Sequence, residues 1–280
     1  MRPVVSPKPR RRPVATARAA GAAIGPVAAY TAPALEKGLD ILELLACASE
    51  SLSQTTIAQR LSRSATELFR MLAVLERRGY VARHGDGGYR LTLRLFELAH
   101  QHPPLKRLLT VALPAMQELA AATRQSNHLV IHFARRILVV AQVDSPEPMG
   151  FAVRLGAHFP FRPDRASSRV LSAFQPEAMQ HELIAELLAN SSRAISASRV
   201  QKELADIASK GFYMAPSDTA DGVTDLCAPV FDHSEGAVAA LTVPYLRQRD
   251  VDVSLAAARE SLLATVRRIS IGLGAPGGRG

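Results

Sequence analysis

The stretch from Ser53 to Leu91 constrains this chain more than any other part of it. Two helical patterns come first, separated by a short polar break. In the first, Ile57, Ala58 and Leu61 share a face, and Ser53 stands where an N-cap is needed over Gln54 to Leu61. The break is Ser62 to Ser64. Leu68, Leu72 and Leu75 then recur at i, i+4 and i+7, the apolar stripe of a second helix. Ser64 can cap that helix, and Glu67 three residues later fits a capping box. Gly79 closes it, where a left-handed residue is expected. The period then changes. Tyr80-Val81 opens an extended run, Gly85-Asp86-Gly87-Gly88 supplies a tight turn, and Tyr89-Arg90-Leu91 returns. The expectation is a helix-turn-helix followed by a two-stranded wing, a compact unit suited to the DNA major groove.

The same spacing also fits an ordinary helical hairpin, so the chemistry of the outer face has to decide. Opposite the core stripe the second helix offers Thr66, Glu67, Phe69, Arg70 and Arg77. Arg pairs with guanine or phosphate, and Thr meets a thymine methyl or a phosphate oxygen. Glu67 either accepts from a cytosine amino group or completes the cap. The candidate groove contacts are therefore Arg70 and Thr66, with Glu67 and Phe69 beside them. Gln54, Thr55 and Arg63 are assigned to phosphates or register, and the Arg83 to Arg90 wing to the flanking backbone.

Net charge adds less than it first promises. The formal charge is +9 and the pI about 10.1, but Arg2, Lys8, Arg10, Arg11, Arg12 and Arg18 stand in the first thirty residues with no acid among them. The remainder carries only +3. DNA binding must rest on the motif rather than on the pI. Residues 1–33, rich in Pro, Ala and Arg, bury almost nothing and are expected to be disordered. Two cysteines, Cys47 and Cys227, lie far apart in apolar surroundings, with neither metal spacing nor a disulfide framework. Cytoplasm is the expected compartment. No apolar run approaches the ~20 residues of a membrane helix, and Ala19 to Ala29 is too interrupted by Gly21, Gly25 and Pro26 for a secretory segment.

At 280 residues two domains are expected. A first helix spans Thr31 to Ala48, with Leu35, Leu39, Leu42 and Leu45 inward. After the wing a helical connection starts near Thr92, His100 to Pro104 breaks it, and a longer helix runs from Leu105 to Thr123 with Pro114 as a kink or boundary. Such a helix often serves as a dimer surface. Strands are expected at His128 to Phe133 and Ile137 to Val143 around a turn at Arg135-Arg136, and a third at Phe151 to Leu155, with loop from Gly156 to Asp164. Helices follow at Ser167 to Phe174, Pro176 to Ala189 and Val200 to Lys210. Phe212 to Met214 is a short strand, Leu226 to Phe231 and Ala237 to Val243 form a hairpin, and Leu255 to Leu273 is a closing helix. The fold class is α+β, with an antiparallel sheet in the second domain.

Two other constellations bear on chemistry. His128 and His132 lie on a strand, on one face but well apart, without clustered Cys or carboxylate, so no metal site is assigned. Ser167, His158 and Asp164 can be drawn as a hydrolase triad, but no nucleophile-elbow pattern surrounds Ser167. No catalytic residue and no cofactor is expected.

The chain resembles the IclR family of transcriptional regulators over about Pro33 to Gly274. The resemblance is carried by ALEKGLDILELL at Ala34 to Leu45, LERRGYV at Leu75 to Val81 with GGYRL at Gly87 to Leu91, and APVFD at Ala228 to Asp232 followed by AVAALTV at Ala237 to Val243. It implies a winged helix-turn-helix over 34–98, a linker helix over 99–123 and a GAF-like α+β effector domain over 124–274. It also implies a double-stranded DNA operator, a small-molecule effector (an organic or aromatic acid), no membrane, and a homodimer or dimer of dimers. By the same resemblance Ala166, Ser167 and Ser168 match an effector loop whose amides face ligand at a helix N-terminus, a natural anion site. Thr242, pointing inward from the penultimate strand, matches a ligand-contacting hydroxyl. The sequence departs from the family at that loop. Gly-Lys has become Ser168-Arg169, and Arg165 replaces a small hydroxyl residue. Arg165 either clamps a carboxylate or forms a surface ion pair with Asp164 or a neighbour. Asp225 stands where relatives are neutral or Cys, and it repels an acidic ligand unless paired, for instance with Arg165. Two alternatives stay open: a sensor or enzyme module whose N-terminal domain makes only protein contacts, and a constitutive DNA-binding regulator with a drifted pocket.

Overall fold

The computed structural model describes residues 32–101, 103–192, 194–249 and 252–276. The basic tail up to residue 31 and His102 lie outside them. Helix α1, Pro33–Ala46, begins with proline in its first turn, where the missing N–H costs nothing. Helices α2, Gln54–Arg60, and α3, Ala65–Arg77, both start on serine caps: Ser53 accepts from the Thr56 amide, and Ser64 from the Glu67 amide. The Glu67 carboxylate reaches back to the Ser64 amide at 3.1 Å, so the capping box is complete. Gly79, at φ +74°, takes the left-handed position that ends α3.

Strands β1, Val81–Arg83, and β2, Tyr89–Leu91, pair antiparallel with Val81 opposite Leu91. Leu52 adds a third rung that the sequence did not suggest. Its amide and carbonyl both bond the Tyr89 backbone, at 3.0 and 2.8 Å, and so tie the loop before α2 to the wing. Ile41, Ile57, Leu68, Leu72, Val81 and Tyr89 bury together in a core confined to this region.

Helix α4, Arg94–Gln101, and helix α5, Pro103–Thr123, follow almost without a gap. α5 runs unbroken through Pro114, neither kinked into two elements nor ended there. It is more than a connection. Ala112, Met116 and Leu119 are buried, and the helix forms one layer with α9, Leu255–Gly272, against the second domain's sheet. The two helices meet closely at Gly272, where an added Cβ would sit 2.7 Å from Val111 Cγ1 and would force that side chain to shift.

The sheet is antiparallel, in the order β5-β4-β3-β8-β7-β6. Its strands are β3 Asn127–Phe133, β4 Arg136–Val143, β5 His158–Pro160, β6 Tyr213–Pro216, β7 Val223–Phe231 and β8 Ala237–Leu246. On the face away from α5 and α9 lie α6 Ala166–Ala173, α7 Glu177–Ala189 and α8 Ala197–Lys210. Strand β7 shows the alternation: Leu226, Ala228 and Val230 bury under α5 and α9, and Cys227 buries under the α6–α8 layer.

Four expectations need correction. Leu35 and Leu39, read as inward, are exposed, and α1 instead buries Ile41 and Leu45. No strand forms at Phe151 to Leu155; the partner of β4 is His158–Pro160, within the stretch read as loop. Leu155 is 64% exposed and has nothing to bury against. Only after Gly156 turns at φ +76° does the chain reach β4, where the Val139 amide donates to the Ala157 carbonyl at 2.9 Å. The β3–β4 turn is Ala134-Arg135, one residue earlier than expected, with both residues at positive φ as a tight hairpin requires. Thr242 stands on β8, the last strand of the chain and not the penultimate one.

Candidate functional site

Two surfaces carry chemistry. The first is the outer face of α3. With Leu68 and Leu72 wholly buried, Thr66, Phe69 and Arg70 are turned to solvent, and Phe69 is 52% exposed. Thr55 and Arg90 are exposed as well. Among the described residues Arg70 and Arg90 form no ion pair within 4 Å. The other expected contacts are engaged within the protein. The Glu67 carboxylate serves the cap and pairs with Lys37 at 3.0 Å, and these bonds hold its pKa down to about 2. Lys37, the Ser64 amide and the Ser64 hydroxyl are the causes, in that order. Arg63 pairs with Asp40 on α1 at 3.0 Å, and Gln54 donates to the Ala65 carbonyl at 2.9 Å. Arg83 lies 3.6 Å from Glu76 and stacks over Tyr89 at 5.2 Å. These four side chains lock α1, α2, α3 and the wing together. Arg70, Thr66, Phe69, Thr55 and Arg90 are left facing outward.

The second surface is the sheet face under α6. Cross-strand register places Gln142, His128, Thr242, Cys227 and Tyr213 in one row across β4, β3, β8, β7 and β6. Residues directly opposite share a face, so this polar row looks toward the α6–α8 layer as Cys227 does. Of these, the family resemblance marks Thr242 alone; Cys227 and Tyr213 carry no local signal of the row, and His128 stands out in the sequence only as a possible metal ligand. The Thr242 hydroxyl donates to Cys227 Sγ at 3.2 Å. Burial pushes the Cys227 thiol up to about 12 and, acting on a cation, pushes His128 down to about 4. His128 is thus a neutral imidazole at pH 7, and its buried Nδ1 has no hydrogen-bond partner among the described residues.

Helix α6 packs over this face of the sheet. Arg165 is its N-cap residue, without a side-chain cap bond, and lies 4.8 Å from the Phe159 ring. Ala166, Ser167 and Ser168 are buried, and the Ser168 hydroxyl is occupied, accepting from the Arg162 amide at 3.2 Å. One turn on, Arg169 stacks over Tyr213 at 5.0 Å, bonds its hydroxyl and pairs with Asp218 at 3.4 Å. Asp225 shares the face of Cys227, two residues before it. Burial raises its carboxyl above the ordinary carboxylate value; the Ser217 hydroxyl, Arg165 and Arg169 act against that rise. Next to Arg169 a cavity of about 350 Å³ opens between Arg162, Asp164, Arg199, Glu203 and Asp218.

Arg165 does not form the ion pair with Asp164 considered above; Asp164 is taken by Arg162 at 2.5 Å. His132 bonds Glu186 at 3.2 Å and meets the Phe161 ring at a tilt, 4.5 Å between centroids, so the two histidines serve different surroundings. Among the described residues no group of three His, Cys, Asp or Glu could hold a metal, and no hydrogen bond links Ser167, His158 and Asp164. The thiols are predicted to react unequally. Cys47 is exposed and Cys227 wholly buried with a raised pKa. A disulfide reagent at pH 8 is expected to titrate one thiol in the folded protein and two in denaturant. Two fast thiols in the folded protein would contradict the buried row.

The chain matches two family models: bacterial transcriptional regulator IclR C-terminal over residues 105–271, and the IclR helix-turn-helix domain over residues 34–85. It is 27% identical to the HTH-type transcriptional regulator XynR of Escherichia coli, over 86% of this chain and 97% of that one. It is 26% identical to the glycerol operon regulatory protein of Streptomyces griseus, over 75% and 83%. Among solved structures it superposes on Pseudomonas aeruginosa HmgR with a TM-score of 0.67 at 26% identity, covering 86% of this chain and 98% of that one. An IclR homolog from Microbacterium hydrocarbonoxydans, complexed with 4-hydroxybenzoate, gives 0.69 at 20% identity, with 86% and 98% covered.

Proposed function

The chain belongs to the IclR family of bacterial transcriptional regulators, with a DNA-binding helix-turn-helix and a C-terminal effector domain. From that premise we propose that α3 reads an operator through Arg70 and Thr66, and that an organic acid held between the sheet row and the α6 N-terminus alters its DNA affinity. One observation carries the reading of α3. The helix is fixed by a complete capping box and the Lys37–Glu67 pair, yet presents Thr66, Phe69 and Arg70 outward. A rigid helix with a free arginine on its outer face is what base readout needs. Thr55 and Arg90 contact phosphates on either side of the groove. Gln54, Arg63, Glu67 and Arg83 act by holding the helices and wing in register.

The effector reading is supported by the polar floor His128–Thr242–Cys227 beneath the α6 amides, with Arg165 at the edge. An acid's carboxylate is drawn to the helix N-terminus and to the guanidinium. Ala166, Ser167 and Ser168 supply the backbone, and Thr242 the hydroxyl. We assign 34–98 to DNA binding, 99–123 to the link and 124–274 to the effector domain, in a cytoplasmic protein. Leu35 and Leu39 on α1 and Leu93, Leu95 and Leu98 around α4 leave apolar surface exposed, which supports a homodimer.

The test is binding to fragmented source DNA followed by sequencing, then gel-shift titration on the recovered site. Sharp peaks with a palindromic centre are expected, because a two-fold dimer reads two half-sites. Arg70→Ala should weaken specific binding by about 1–3 kcal/mol. Diffuse, salt-sensitive binding, or wild-type affinity for the variant, would remove α3 from the reading role.

A further inference from the structure

The effector face holds two opposite charges that do not satisfy each other. Arg165 enters from the α6 N-terminus, with its guanidinium laid against the Phe159 ring and its Nε buried without a partner among the described residues. Asp225 enters from β7 on the same side as Cys227. The two are near enough to feel each other electrostatically, but among the described residues neither has an ion-pair partner within 4 Å. The surrounding charges are already committed: Arg162 to Asp164, and Arg169 to Asp218 and the Tyr213 hydroxyl. On the same face of the sheet His128 is buried, with its Nδ1 without a partner among the described residues.

We propose that the effector is a zwitterion of the α-amino-acid class, its carboxylate taken by Arg165 and the α6 amides and its ammonium by Asp225. The proposal rests on the effector reading above and narrows it from organic acids in general to those that also carry an ammonium group. The reasoning is electrostatic complementarity. A half-buried carboxylate disfavours a second carboxylate nearby and favours a cationic donor, and a half-buried guanidinium does the reverse. A simple acid would satisfy Arg165 and leave Asp225 facing it with a neutral hydroxyl donor, Ser217, and no cation of its own. A simple amine would leave Arg165 unpaired. A molecule with both charges a few bonds apart pairs both walls at once. Phe159, stacked on Arg165, gives the ligand's side chain an apolar neighbour. Asp225 is then the specificity-determining residue: it rejects plain acids as well as attracting the ammonium.

The experiment uses the full chain and three matched sets of probes, scored by thermal shift and then calorimetry. The sets are the twenty protein amino acids, the corresponding 2-hydroxy acids (3-phenyllactate for phenylalanine, for example) and the corresponding decarboxylated amines, with 4-hydroxybenzoate added as a plain aromatic acid. At least one amino acid is expected to bind at least tenfold tighter than both its hydroxy acid and its amine. Asp225→Asn should erase that preference by weakening the amino acid at least tenfold while leaving the hydroxy acid unchanged or tighter. Arg165→Gln should weaken the amino acid and the hydroxy acid together. Circular dichroism verifies that both variants are folded. A hydroxy acid or aromatic acid binding as tightly as any amino acid, with Asp225→Asn without effect on the ratio, overturns the zwitterion proposal and leaves the effector reading standing. Absence of binding by every amino acid, alongside binding by a plain acid such as 4-hydroxybenzoate, has the same meaning. Absence of binding by all of these probes, together with operator affinity that no metabolite extract changes, overturns the effector reading itself and this proposal with it.

Discussion

Leu68→Ala is expected to destabilise the winged helix by about 2–5 kcal/mol and to abolish operator binding. Leu68 is wholly buried, in a core that also holds Ile41, Ile57, Leu72 and Val81. Truncating such a side chain loses its transfer energy and leaves a cavity that relaxes only in part. Few buried residues share the load in so small a core, so the loss is a large fraction of the local stability. The same helix bears Arg70 and Thr66, the contacts proposed above, and loosening its seat displaces both. Hydrogen exchange separates the effects. Amides of α2 and α3 should exchange faster by about a factor of ten for each ~1.4 kcal/mol, while amides of β7 and β8, buried in a different core, keep their protection. Arg70→Ala serves as the control that loses DNA and keeps wild-type protection. Unchanged exchange in α3 of the Leu68 variant would show that this core does not hold the reading helix.

Acid should weaken the effector domain through one histidine. The value for His128 in the folded chain, about 4, lies below the ordinary 6.5 because burial penalises the imidazolium. Between those two values the unfolded chain takes a proton that the folded chain refuses. The associated stability is fully present above pH 6.5, declines as pH falls, and is gone below about pH 4. It amounts to about 3 kcal/mol. Melting of the wild type and of His128→Gln at pH 7, 5 and 4 tests this. Carboxylates titrate in both proteins, so the difference between the two isolates the imidazole. The variant should lose less stability than the wild type over that interval. Parallel curves would mean that His128 meets water or a partner and is not the dry floor of the pocket. A ligand that accepts a hydrogen bond from Nδ1–H favours the imidazolium and should flatten the wild-type curve as well.

The local signals of the DNA-reading unit were all legible in the chain. Ser53, Ser64, Glu67 and Gly79 act within three or four residues of themselves, by capping a helix end or taking positive φ, and the structure places them as read. The stripe Leu68–Leu72 and the glycine turn of the wing are equally local. What the sequence left open lies farther along the chain. Glu67 read as base contact or cap; its bond to Lys37, thirty residues away, engages it within the protein. Arg63 became part of a clasp with Asp40 in the same way. Pro114 looked like a break and is carried through, because α5 is held on both sides by the sheet and α9. The strand expected before Gly156 failed because strand pairing needs a partner edge, and only the chain after that turn meets β4.

The candidate ligand site shows the same division. Resemblance pointed to Arg165, Ala166, Ser167, Ser168, Asp225 and Thr242 one by one, from two segments some sixty residues apart. That His128, Thr242, Cys227 and Tyr213 form a single row is a matter of strand register, which is set by long-range pairing and not by any local preference. Sequence by itself determined the serine caps, the glycine turns and the apolar stripes of α2 and α3, because those follow from contacts within one helical turn or one pleat. Tertiary structure alone decided which polar groups meet and which are left unpaired, because desolvation and charge pairing depend on distances between strands and helices that are far apart along the chain.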